Sequence, residues 1–191
     1  MTTTLERTPP RDIAAELPAR LSLTPKSTLA GQLDGAWFPY SRDLRAELPV
    51  LLAALDEPWG RITRVTVNPV RWPVVPHTVP MDGRRPHVGW FTEQDPDKLI
   101  LLSYKVGRWD LLVVPPETGP AAAARLMAAA AIPGSVLTAG ALMANEAAIG
   151  RGIHDARRRQ DTWEGEGGAC MSPFGHPMDR STLPLPGNGR R

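Results

Sequence analysis

A chain that does chemistry must bring nucleophiles, bases or metal ligands together, and this one offers few of them. It has four His and a single Cys among 191 residues. His77 and His87 could hold a metal only if Asp95 or Asp97 joined them, and Cys170 with His176 makes a lone pair of ligands, whereas a zinc site needs three or four. Neither a metal nor a cofactor is expected. A nucleophilic Ser needs a neighbouring base and an oxyanion site, and no G-x-S-x-G elbow is present. There is likewise no G-x-x-x-x-G-K-[ST] phosphate loop, and the "EGEGG" near the C-terminus follows no predicted strand. Two carboxylate pairs remain for acid–base work, Asp34 with Asp43 and Asp95 with Asp97. The second pair reads better as a turn, because Asp and Pro in "QDPDK" both favour turn conformations.

The stretch "QLDGAWFPYSRD", residues 32–43, is the densest mixture of rings and charges. Trp37, Phe38 and Tyr40 fall within four positions of a chain that has six Trp, three Phe and two Tyr in all. A polar–aromatic cluster of this kind suits recognition of a small molecule or a protein partner. Asp34, Trp37, Arg42 and Asp43 are its candidate contact residues, with Trp72 and Trp90 next. Each Trp also offers a large area to bury in a small domain short of Phe and Tyr, so core packing competes with ligand contact for every ring.

Charge limits the partners. The sequence pI is near 9.0, yet residues 1–150 carry 15 Lys/Arg against 15 Asp/Glu, and residues 151–191 carry 7 against 5. A neutral core exerts no long-range pull on a polyanion, so nucleic-acid binding through the core is disfavoured. The lone Cys fits a reducing compartment, and the N-terminal residues have no apolar signal-like run. No segment approaches the ~18 consecutive apolar residues of a membrane helix. These features lead to the expectation of a cytoplasmic protein.

The elements that must position the candidates follow from periodicity. Residues 1–19 are polar and Pro-containing and read as a flexible lead. "RLSLTP" alternates as a short strand. Ser41 is placed to cap a helix carrying Leu44, Leu48, Leu51, Leu52 and Leu55 as one apolar stripe, with a kink or restart at Pro49. "RITRVTVNP" puts Thr63, Val65 and Val67 on one face of a strand, and "HVGWF" is another. "DKLILLSYKVGRWDLLVVPP" is a hairpin apolar on both faces, hence central and covered on each side. An Ala-rich helix follows Pro120 and stops at Pro133-Gly134, and Ser135 can cap another helix to about Ile149. Gly, Pro and charge dominate from residue 150, which reads as a disordered tail. The expected fold is therefore α+β: residues 20–149 form an antiparallel sheet with a central hairpin, packed by about three helices.

The segments "RLSLTP", "LDGAWFPYSRDL", "ELPVLLAALD", "GRITRVTVN", "GWF" and "WDLLVVPP", in this order, resemble an actinobacterial family known only as a domain of unknown function. The pattern LDGAW-x-P-x-SRDL is the most specific part. In that family a second Trp usually stands at the position of Phe38, and Arg often at that of Tyr40. The resemblance implies a bacterial cytoplasmic protein and supplies no catalytic residues. The 19 Arg against 3 Lys agree with a high-GC source. The leading expectation is a non-enzymatic binding or regulatory module for a small molecule or a protein. One alternative is an enzyme using Asp34, Arg42 and Asp43 in one cleft, and the other is a nucleic-acid-associated protein acting through its basic tail.

Overall fold

Leu44, Leu48, Leu51, Leu52 and Leu55 are completely buried, and their spacing makes residues 44–59 a helix with a single apolar face. A computed structural model describes residues 17–25, 29–81, 83–104 and 107–167. The helix, α1, runs Leu44–Trp59. Its cap is Asp43, not the expected Ser41: the Asp43 side chain accepts from Arg45 N at 2.9 Å, while Ser41 Oγ accepts from Asp43 N at 3.2 Å. Ser41 therefore shapes the turn into the cap, and the carboxylate next to Leu44 takes the orphan amide. α1 is one continuous helix through Pro49 and does not restart there. The carbonyl left unpaired by Pro49 belongs to Arg45, an exposed residue.

The strands are β1 (Leu21–Leu23), β2 (Gly35–Trp37), β3 (Ile62–Val67), β4 (His87–Trp90), β5 (Lys98–Ser103) and β6 (Arg108–Val113). They form one sheet in the order β1-β2-β6-β5-β3-β4, so the β5/β6 hairpin is central as expected. The sheet is mixed, which corrects the antiparallel expectation: β2 runs parallel to β6, and β3 runs parallel to β4. Local sequence pattern fixes a strand and its facing, whereas strand direction depends on how the intervening chain crosses over. Here residues 68–86 return the chain to the same end of the sheet through a short 3-10 turn, Pro69–Arg71, and a proline-rich loop. Asn68 anchors that return, with Nδ2 donating to Thr92 O and Gln94 O and Oδ1 accepting from Val70 N.

One face of the sheet packs on α1 through Trp37, Val65, Val67, Val88, Leu99, Leu101, Leu111 and Val113. The other face packs Ala36, Leu112 and Val114 against α2 (Pro120–Ala130) and the start of α3 (Ala139–Gly167). Ile100 and Leu102 remain half-buried, so the hairpin is fully covered on one face only. A register shift between Ile62 and Arg64 exposes Thr63 and buries Ile62, which breaks the simple alternation expected of β3.

The chain divides into units 1–151 and 152–191. The tail expected from residue 150 is helical as far as Gly167, because α3 does not stop near Ile149. Residues 151–164 are exposed and are supported by short-range pairs: Asp155 with Arg158, Gln160 Nε2 donating to Glu164 Oε1 at 3.0 Å, and Thr162 Oγ1 donating to Arg158 O at 2.9 Å. The remainder of the expected tail, with Cys170 and His176, and most of the expected N-terminal lead lie outside the described residues. Among the described residues no helix is long and apolar enough to cross a membrane.

Among the described glycines, Gly35 has the closest neighbours. Its φ is +145°, and a Cβ there would lie 2.3 Å from Ser22 O of β1. Gly35→Ala should destabilise the fold by on the order of 3 kcal/mol in urea titration. Gly89→Ala in β4, where a Cβ meets nothing within 4 Å, should be close to neutral.

Candidate functional site

The six residues singled out by sequence do not form one site. Trp37 is buried and stacks on Trp72, with centroids 5.8 Å apart and planes at 18°, so both rings belong to the core beneath α1. Phe38 and Tyr40 sandwich the Arg20 guanidinium, at 3.5 and 4.0 Å from the ring centroids. Arg20 also donates to Phe38 O and Pro39 O, and Tyr40 Oη donates to Pro18 O at 3.1 Å. These rings clamp the chain before β1 to the end of β2.

Arg42 and Asp43 line a groove with Ser41, Arg45, Pro73 and Val74. Their polar groups are already engaged. Arg42 makes a bidentate pair with Glu117, at 2.6 and 2.9 Å, and donates to Arg71 O at 2.7 Å, while Asp43 caps α1. The Arg42 bond holds the Glu117 carboxyl below the usual carboxylate range. Trp90 stands on edge strand β4, tilted against His77 with centroids 5.1 Å apart. Asp95 serves the turn expected of it: Oδ1 accepts from Asp97 N, and Oδ2 accepts from Gly140 N at the start of α3. Asp97 is buried against Arg71, and burial outweighs that partner in pushing its carboxyl up. No cluster of three or more metal-ligating side chains occurs among the described residues.

Asp34 lies elsewhere, in a cleft of about 360 Å³ that also takes in Thr24, Leu33, Pro58, Trp59 and Trp109. That volume falls in the range of small-ligand sites. Trp59, at the C-terminal end of α1, stacks nearly parallel on Trp109 of β6 with centroids 5.1 Å apart and planes at 5°. Trp109 is only partly buried, so the pair forms an aromatic wall of the cleft. Asp34 Oδ2 accepts from Asp110 N at 2.8 Å, and Asp34 N donates to Asp110 O at 2.7 Å. Burial pushes the Asp34 carboxyl above its ordinary value, and the Asp110 charge adds to this, while the Asp110 amide and Arg108 oppose it. Asp110 itself is held by Lys98 and, bidentately, by Arg108.

Trp59 and Trp109 were legible as ring anomalies but carried no signal for pairing, because fifty residues separate them in the chain. The nearest hint is "RWD", where Trp109 interrupts two charged residues on a strand. Asp34 is the one expected contact residue that the cleft retains.

A family model covers residues 20–130. The chain belongs to DUF5994, a family of unknown function. The DUF5994 region contains the whole sheet and the Trp59–Trp109 cleft's strand and helix walls, so the cleft is built largely from family positions. No curated protein and no solved structure matches the chain.

The folded state holds a proton on Asp34 at higher pH than the unfolded chain does, since its pKa is raised. Stability conferred by that proton appears as pH falls through the folded-state value. Asp34→Asn, whose amide oxygen can still accept from Asp110 N, should therefore have its largest melting-temperature advantage over wild type near neutral pH. The advantage should shrink toward about pH 4, close to the unfolded Asp value, and a gap that widens on acidification would contradict the buried-carboxylate account. Arg42→Ala should cost no more than about 1 kcal/mol, because its partner Glu117 is exposed.

Proposed function

We propose that this chain is a non-enzymatic small-molecule-binding module with a regulatory role in a bacterial, specifically actinobacterial, cytoplasm. The observation that carries this reading is the concave site in which a half-buried carboxylate, Asp34, shares a cleft with the stacked Trp59–Trp109 pair. Such a site favours a small ligand with an apolar or planar body, which lies against the rings, and an amino or N–H donor group directed at Asp34. A protein partner is less well served, because the group is recessed rather than spread over a flat face. The LDGAW-x-P-x-SRDL stretch supplies Leu33 and Asp34 to this site and sets β2 beside it.

Shifted carboxylates next to charged neighbours also occur in enzymes, and Asp34 beside Asp110 and Arg108 keeps that alternative specific. Arg42 and Asp43, which the enzymatic reading would add, line a different groove.

Native mass spectrometry of freshly purified full-length protein separates the readings. Wild type should carry a small-molecule adduct that Trp109→Ala loses and Asp34→Asn binds more weakly. The adduct's affinity should rise with pH as Asp34 ionises, and the ligand should be recovered unchanged. A ligand that is converted during incubation would support the enzyme, whereas an adduct retained equally by all three proteins would remove this cleft from consideration.

A further inference from the structure

A second cleft, of about 450 Å³, lies between the start of β3 and edge strand β4, where Arg61, Thr63, Arg84, Arg85, His87 and Tyr104 line it. We propose that it binds the phosphate of a phosphorylated small molecule that carries a planar ring, a ligand of the mononucleotide class.

Residues 1–150 balance 15 Lys/Arg with 15 Asp/Glu, but the balance is not local. Arg42, Arg71, Lys98, Arg108 and Arg125 each stand against a carboxylate. Among the described residues, no carboxylate pairs with Arg61, Arg64 or Arg85. Arg61 and Arg85 line the cleft, and Arg64 is the ladder partner of His87, which also lines it. Three arginines with no carboxylate partner among the described residues thus meet at this sheet edge, in a stretch whose Lys/Arg and Asp/Glu are equal in number.

The site is also partly organised. Arg84 is fixed by two bonds to Asp56, at 2.6 and 2.7 Å, and reaches Ile62 O. Arg61 donates to Gly83 O at 3.1 Å, which ties the residue just before β3 to the loop that carries Arg84 and Arg85. Guanidinium groups present paired N–H donors that match two phosphate oxygens at once, so two of them on facing segments form a clamp. Tyr104 is 82% exposed at the rim, an unusual position for a ring of its size and a suitable one for stacking on a flat group. A cleft of this volume suits one nucleotide better than an extended strand, and the neutral domain supplies no long-range field for a polyanion.

Isothermal titration calorimetry on the full chain with AMP, inorganic pyrophosphate and a short single-stranded oligonucleotide tests the assignment. AMP and pyrophosphate should both bind saturably. Replacing Arg61 and Arg85 together by Ala should weaken both by about tenfold or more, since each removes charge-assisted hydrogen bonds. These residues are exposed, and unchanged circular dichroism and melting temperature would show that the fold survives. Tyr104→Ala should weaken AMP and spare pyrophosphate. Trp109→Ala, in the other cleft, should leave both unchanged, so failure here is distinct from failure of the small-molecule cleft. Absence of binding by AMP and pyrophosphate, equal affinity in the double variant, a Tyr104→Ala variant that binds AMP normally, or steeply salt-dependent binding of the oligonucleotide alone would each overturn the proposal.

Discussion

The structure depends on β2, three residues that are bonded on both sides and buried on both faces. Gly35–Ala36–Trp37 pairs antiparallel with β1 and parallel with β6. Trp37 enters the core under α1 and Ala36 enters the core under α2 and α3, so one short strand joins both hydrophobic layers. Gly35 lets β1 close against it, where any side chain would meet Ser22 O. So short a strand has few ladder bonds of its own, and neighbouring residues supply more. Asp34 exchanges two bonds with Asp110 at one end, while Phe38 N donates to Arg20 O and Val114 N donates to Trp37 O at the other. The Asp34 carboxylate thus acts in the sheet like an extra backbone acceptor, and this role is what draws it out of water.

Two tryptophan stacks then show how burial separates packing from recognition. Trp37 on Trp72 and Trp59 on Trp109 are similar pairs by distance. The first is enclosed, with exposures of 1% and 5%, so its ring faces are used up by the core. The second sits where α1 ends over β6, with Trp109 partly open and a carboxylate nearby. Ring type is the same in both cases, and the difference lies in what surrounds the pair.

This contrast also explains what the sequence could and could not convey. The leucine stripe of α1, the central hairpin and the Ala-rich helix were legible because their patterns are local and each residue's facing follows from helix or strand period. The parallel pairings were not, since β2 and β6 meet only after α1 and three further strands have been placed. Ser41 and Asp43 both suit a helix start, and only backbone geometry assigns the cap to Asp43. Residues 150–167 lack apolar periodicity and so resemble a tail in sequence, yet Arg, Gln, Ala and Glu propagate a helix through short-range pairs without burying a face. Of the expected contact group, only Asp34 reached the cleft walled by a tryptophan pair, while Arg42 and Trp72 share a recess of only about 10 Å³. Arg42 was conspicuous in sequence for a charge that the fold spends on Glu117 and a backbone carbonyl.

Gly60 is where the two clefts part. It follows Trp59 as the C-cap of α1, with φ at +71° and ψ at 175°, a positive-φ conformation open essentially to glycine alone. The residue before it completes the aromatic wall, and the residue after it, Arg61, faces the basic cleft. A helix that continued one more turn would carry Arg61 away from Gly83 O and leave β3 without its first residues. A different turn would tilt Trp59 off Trp109. The positive-φ step at Gly60 is therefore a single backbone condition that both clefts share, one that the "PWGR" sequence states plainly once the ends of α1 and β3 are known.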